Sequence, residues 1–240
     1  MCQIYTVSYS FYEAMLLRGV KRIVVVVFLL LILLSLRAEE AMDSAHSYHR
    51  SIGVKAAFDL NIPGKWTSTD PDAFDSGNIG YGGAVGVVYN VMKDRRWFLE
   101  SGLMLSYGEF GVDLLVGEIC LSGRMSKFDA IVPLTAGCQF GLFDWMRMNV
   151  MAGIEGSLCL GGSIDGDADG CGYPLFGSDG LWRRGDLKWG VGAGFVRDNI
   201  EINVMMYFGL INMVKRKDVV VPEVVNENVV RISCTYYFRQ

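Results

Sequence analysis

Between Lys188 and Leu210 the chain reads KWGVGAGFVRDNIEINVMMYFGL, an alternation of period two on both sides of a polar turn. Trp189, Val191, Ala193 and Phe195 share one parity, and Lys188, Gly190, Gly192 and Gly194 share the other. After Arg197-Asp198-Asn199, residues suited to a turn, the pattern resumes. Ile200, Ile202, Val204, Met206, Phe208 and Leu210 take one face, and Glu201, Asn203, Met205, Tyr207 and Gly209 the other. Successive strand residues point to opposite faces, so this is a hairpin with one long apolar face backed by glycine, acid and amide. A transmembrane β-barrel needs that arrangement, apolar toward lipid and polar or small toward the lumen. A soluble ligand-binding barrel would carry its apolar face inward.

The same parity recurs along the chain. Ile52, Val54, Ala56, Phe58, Leu60 and Ile62 alternate with Gly53, Lys55, Ala57, Asp59 and Asn61. Further segments follow at 79–91, from Trp97 to Tyr107, at 128–140, 145–160 and 228–238, which with the hairpin makes eight strands. Residues 109–127 fit either an extension of the third strand or a structured loop, and Pro133, which cannot donate a ladder bond, predicts a bulge. Connections alternate long and short: 63–78, 161–184 and 211–227 are long, while 93–96, 141–144 and 197–199 are short. Bacterial outer-membrane barrels have short periplasmic turns and long extracellular loops. The expectation is therefore an all-β fold, an eight-stranded antiparallel up-and-down transmembrane β-barrel, in the outer membrane with both termini periplasmic. Outward aromatics near strand ends, among them Tyr81, Trp97, Tyr107, Trp189 and Phe238, match interfacial girdles.

An export signal agrees with that address. Ile23 to Leu34 is apolar but shorter than the roughly 20 residues of a membrane-spanning helix. It follows Arg18, Lys21 and Arg22 and precedes Ser35, Ala38 and Ala41. Residues 1–38 thus read as a secretory signal peptide, cleaved after Ala38 or Ala41, with translation starting at Met1 or Met15. Residues 39–50, with His46 and His49, read as a periplasmic linker, and 51–240 as the barrel. Residues 1–38 hold Glu13 against Arg18, Lys21, Arg22 and Arg37, so their removal takes the formal charge from −4 to −7. An acidic exported chain gives no reason to expect nucleic acid as partner.

Three short motifs, in order, carry a resemblance. Leu99-Glu100-Ser101-Gly102-Leu103 looks like Leu-Glu-x-Gly-Leu, Ala130-Ile131-Val132-Pro133-Leu134 like Leu-Glu-Ile-Pro-Leu, and Phe208-Gly209-Leu210-Ile211-Asn212-Met213 like aromatic-Gly-Leu-x-Asn-Ile. Together they resemble the small outer-membrane β-barrel proteins called PorT-like or "porin family", over about Ser51 to Phe238. Tyr236-Tyr237-Phe238 resembles an outer-membrane insertion signal. Ile131 departs from the family's glutamate, and Arg239-Gln240 extend past the terminal aromatic. The resemblance implies a barrel anchored in lipid and inserted by barrel-insertion machinery, one member class of which serves secretion. It does not imply a pore.

No histidine follows His49, which argues against histidine-based acid–base chemistry at the strand tips. The inward charges, Lys55, Glu100, Arg147, Glu155 and Glu201 foremost, with Asp59, Asp129, Lys188 and Arg231, predict a paired network filling a narrow lumen. Asp165, Asp167 and Asp169 form the DxDxDG start of a calcium loop, but Phe176 stands where its bidentate glutamate belongs. Cys159 and Cys171 are spaced to close a loop by a disulfide, which an exported address permits. Lys215-Arg216-Lys217 is a candidate contact for lipopolysaccharide phosphates. The expectation is a non-enzymatic surface scaffold, interaction or envelope-assembly protein, whose loops meet a protein partner. The alternatives are a narrow gated solute channel and a rim-located hydrolase.

Overall fold

The structure is a computed structural model. It describes residues 48–63, 79–94, 96–116, 119–143, 145–166, 172–174, 176, 182–213, 215, 220–221 and 226–238. Among these residues ten strands follow one another: β1 (Tyr48–Pro63), β2 (Gly80–Lys93), β3 (Trp97–Val116), β4 (Ile119–Phe143), β5 (Met146–Gly166), β6 (Gly172–Pro174), β7 (Gly185–Arg197), β8 (Ile200–Gly209), β9 (Val220–Val221) and β10 (Glu227–Phe238). The eight long ones are the staves of a barrel. Each pairs antiparallel with its neighbours in sequence. β1 pairs with β10 from Ile52↔Phe238 to Pro63↔Glu227 and closes the ring. Closure gives every stave a partner on both sides within the ring, the condition for strands to cross a lipid layer.

The parity read from the sequence is the parity of burial. In β8, outward Ile200, Ile202, Val204 and Met206 are exposed, while inward Glu201, Asn203, Met205 and Tyr207 are buried. Ten residues at about 3.4 Å each, tilted by roughly 40°, give a height near 25 Å, the apolar band of an outer-membrane barrel. Rings pair at both margins. Phe58 lies 6.2 Å from Tyr81, and Trp189 5.0 Å from Phe208, toward the loop end; Tyr236 lies 5.6 Å from Phe238, and Phe143 5.8 Å from Trp145, at the turn end. The Arg197 guanidinium sits 5.3 Å over the Trp145 ring.

Two of the tight turns rest on aspartate. Asp94 and Asp198 both have φ of 53°, a left-handed conformation that short polar side chains tolerate. The first turn closes with the Arg96 amide donating to the Lys93 carbonyl at 3.0 Å. Asp198-Asn199 forms a two-residue hairpin loop between the paired Arg197 and Ile200, of the kind whose twist suits two antiparallel strands.

Several expectations are corrected. β1 starts at Tyr48, so His49 and Arg50 belong to a stave and not to the linker. Residues 109–127 are mostly strand: β3 runs to Val116 and β4 starts at Ile119. β5 runs to Gly166, well into the stretch read as loop. With 20, 25 and 21 residues, β3, β4 and β5 far exceed one crossing and stand as a wall above the band. β6 pairs with β5 and β9 with β3 in that wall. Pro133 makes no bulge. The β3–β4 ladder skips two pairs between Ser101↔Leu134 and Met104↔Ile131 and resumes in the same register. The Ser101 hydroxyl donates to the Pro133 carbonyl at 3.0 Å across the gap. The register shifts of β4–β5 lie elsewhere, at Phe128/Asp129 and Gly141/Phe143.

Glycine on the inward face makes room for large neighbours. A Cβ on Gly190 would come within 2.6 Å of the Tyr207 ring and 2.8 Å of the Met206 carbonyl oxygen. Gly190→Ala is therefore expected to destabilise the barrel by about 1–3 kcal/mol, the usual cost of overpacking. The check is the urea midpoint of refolding into vesicles. Gly156→Ala, whose Cβ would meet nothing within 4 Å, is the control and is expected to leave it unchanged.

Candidate functional site

The chemistry of this chain is gathered inside the barrel, because alternate positions of every stave point there and the enclosed space is narrow. Two connected clusters of polar side chains occupy it. In the first, Lys55 on β1 forms an ion pair with Glu100 on β3. The Tyr237 hydroxyl on β10 lies 2.5 Å from Glu100 Oε2 and 2.6 Å from Glu201 Oε2. Glu201 Oε1 accepts from the Asn149 amide at 2.5 Å and the Asn203 amide at 2.9 Å. Asn90 on β2 donates to the Tyr237 oxygen at 3.4 Å. Six staves thus meet around one acid pair.

The second cluster lies nearer the loop end. Arg231 on β10 grips Asp59 through Nε at 2.7 Å and Nη2 at 2.9 Å, and donates through Nη1 to Glu155 on β5. The two parallel bonds to Asp59 are the bidentate geometry that suits guanidinium to carboxylate. The Tyr207 ring lies 5.4 Å from the same guanidinium. Glu227 at the head of β10 takes two ammonium groups, Lys127 on β4 and, at 3.1 Å, Lys188 on β7. Lys188 also lies 3.0 Å from Asp186, and Lys127 3.4 Å from Asp129. All these side chains are buried. A buried ion costs several kcal/mol unless paired and hydrogen-bonded, and here opposite charges alternate across β1, β4, β5, β7 and β10. A cavity among them has about 10 Å³, room for about one water molecule.

Apolar side chains fill much of the remaining interior. Phe98, Met151, Met205, Tyr207 and Val229 pack as one group, and Ala84, Met104 and Ile131 as another. Side chains of both kinds thus fill the described part of the lumen, and its buried ions are paired across the staves.

The inward set Lys55, Glu100, Arg147, Glu155 and Glu201 is divided by the structure. Lys55, Glu100 and Glu201 share the first cluster, and Glu155 belongs to the second. Arg147 is half-buried near the turn end and makes no ion pair with a described residue. The pattern reading missed Lys127, Asp186, Glu227 and Tyr237. Each shares parity with a charge already recognised: Lys127 with Asp129, Asp186 with Lys188, and Glu227 and Tyr237 with Arg231.

The other expected sites reach outside the described residues. The disulfide between Cys159 and Cys171 is not made: Cys159 is a free, buried thiol that donates to the Gly161 carbonyl at 3.2 Å. Cys171 lies outside the described residues. Asp165 is taken into β5, paired with Arg124 and Gly172, and extended strand is not the looped backbone of a calcium site. Asp167 and Asp169 lie outside the described residues, as do Arg216 and Lys217. Cys234 is exposed on the lipid-facing side.

The outer side of the wall, just above Tyr107 and Phe128, is polar. The Tyr107 hydroxyl donates to Glu109 at 2.5 Å, Arg124 stands 3.6 Å from the same carboxylate, and the Ser126 and Ser163 hydroxyls are 3.3 Å apart. The serines bond to each other, and the carboxylate is already engaged by phenol and guanidinium.

No family model and no curated protein matches the chain. Among solved structures it is similar to Neisserial surface protein A, at 11% identity over 81% of this chain and 100% of that one, with a TM-score of 0.42. It is similar to the outer membrane enzyme PagL, at 13% identity over 76% and 98%, with a TM-score of 0.39. It is also similar to Ail, the attachment invasion locus protein of Yersinia pestis, at 14% identity over 79% and 97%, with a TM-score of 0.33.

Proposed function

We propose that this chain is a non-enzymatic barrel of a Gram-negative outer membrane, exported by the signal at residues 1–38, whose closed lumen makes it a scaffold rather than a conduit. The observation that carries this reading is a cavity of only about 10 Å³ among paired charges. The working surface is then the wall of β3, β4 and β5 with the long loops, placed outside the cell, while the tight turns and both chain ends face the periplasm. Lipopolysaccharide surrounds the band, barrel-insertion machinery delivers the chain, and a protein partner meets the wall, in surface interaction or envelope assembly. The PorT-like resemblance of the Leu99–Leu103 and Phe208–Met213 motifs belongs to this reading and adds the secretion-associated variant of it.

Purified protein in planar lipid bilayers is expected to carry no steady current. A large, stable conductance from the unmutated chain would overturn the scaffold reading in favour of a narrow solute channel.

A further inference from the structure

The lumen does not balance in charge. Among the described residues seven buried acids face four buried bases, with the inward Arg147 half-buried at the turn end as a fifth. Unmatched buried carboxylates are not sustained as anions; they are met by protons or cations. The first cluster shows where one such proton sits. It has a single base, Lys55, for two acids, Glu100 and Glu201. The Tyr237 oxygen lies 2.5 Å from one carboxyl and 2.6 Å from the other. Oxygens this close need a hydrogen in each contact. A phenol hydroxyl carries one hydrogen, so the second must come from a carboxyl.

The surroundings choose which. Lys55 forms its ion pair with Glu100 and not with Glu201. Glu201 faces neutral groups from the other staves: Asn149 on β5, Asn203 on β8, Asn90 on β2 beyond the phenol, Val196 on β7 and Thr235 on β10. The charged groups that bear most on it are Glu100 and Lys55. Both amides donate to Oε1, which leaves Oε2 as the oxygen that holds a hydrogen toward the phenol.

We propose that Glu100, Tyr237 and Glu201 form a proton-binding site inside the barrel. Glu201 Oε2–H donates to the Tyr237 oxygen, and the Tyr237 hydrogen is donated to Glu100, the anion paired with Lys55. The site rests on the sealed-lumen reading, because a water-filled channel would supply the hydrogens instead. Withdrawing the proton leaves two carboxylates against one ammonium and loosens the plug at the turn end. The seal is therefore linked to pH.

Infrared difference spectra test this, on protein labelled with carbon-13 at the glutamate carboxyls and refolded in phosphatidylcholine vesicles at neutral pH. Wild type minus Glu201→Gln is expected to show the loss of one protonated-carboxyl band that shifts with the label. Loss of a carboxylate band instead overturns the proposal. The wild type alone provides a second reading that does not depend on the variant folding. Its protonated band is expected to disappear on alkalinisation together with resistance to urea, and a wild type with no such band overturns the site. Conductance on the same sample separates the two readings. A steady current with the band present defeats the sealed lumen and keeps the proton site, and no current with no band does the reverse.

Discussion

Arg231→Ala is expected to be the most damaging single substitution in the barrel. The side chain holds Asp59 by two bonds and Glu155 by a third, and the structure buries all three groups almost completely. Truncation strands two carboxylates in a space with room for about one water. Breaking a buried pair from one side costs about 3–5 kcal/mol, because the partner charge stays behind. The measurement is the urea midpoint of refolding into lipid vesicles. Asp59→Asn, Glu155→Gln and Arg231→Met combined remove the charges while nearly keeping the volumes, and are expected to recover most of the loss. If Arg231→Ala alone refolds with the wild-type midpoint, the second cluster does not hold the barrel together.

Val204→Arg is expected to cost about 2–4 kcal/mol, the penalty for a cation on the lipid face at mid-bilayer. Val204 is half-exposed in the middle of β8, with its neighbours on that face apolar. The inward Asn203→Arg, by parity alone, should be far milder, since it meets the lumen. The packing overturns that expectation: Asn203 is 2% exposed, donates to Glu201 at 2.9 Å and lies hard against Gly194. Both variants therefore refold poorly, for different reasons. The cost at Val204 is expected to shrink in a thinner bilayer, where arginine reaches the headgroups, and the cost at Asn203 to stay. Equal responses to bilayer thickness would show that the two faces of β8 are assigned wrongly.

That contrast also marks how far the sequence speaks. A period of two residues is a local property, so the eight staves, their faces and the inward placement of Lys55, Glu100, Glu155 and Glu201 were legible from the order of residues alone. Pairing inside the lumen is not local. Strand tilt and register decide that Arg231 meets Glu155, 76 residues away, and no spacing announces it. Lys127, Asp186 and Glu227 escaped because they stand in stretches whose apolar partners thin out above the band, where the alternation loses contrast. Tyr237 escaped because a terminal run of aromatics reads as a girdle, although its parity with Arg231 points it inward. Pro133 was placed correctly in its strand and misread in its effect. A missing donor can be met by a skipped pair and a serine hydroxyl as well as by an extra residue.

The seam between β1 and β10 has a further effect, on the order of events in time. Its contacts join distant parts of the chain: Asp59 and Arg231 are 172 residues apart. Such pairings are slow, because a long loop must close before any contact rewards it. Until β10 exists, β1 and β8 are open edges, and each hairpin already made presents an apolar face with nothing to cover it in water. Partial chains of that kind associate with one another rather than wait. The ring therefore cannot be assembled stave by stave as the chain emerges. The whole polypeptide must be kept from folding until its last strand is available, and a chain cut short before Glu227 is not a smaller barrel but an unfinished sheet.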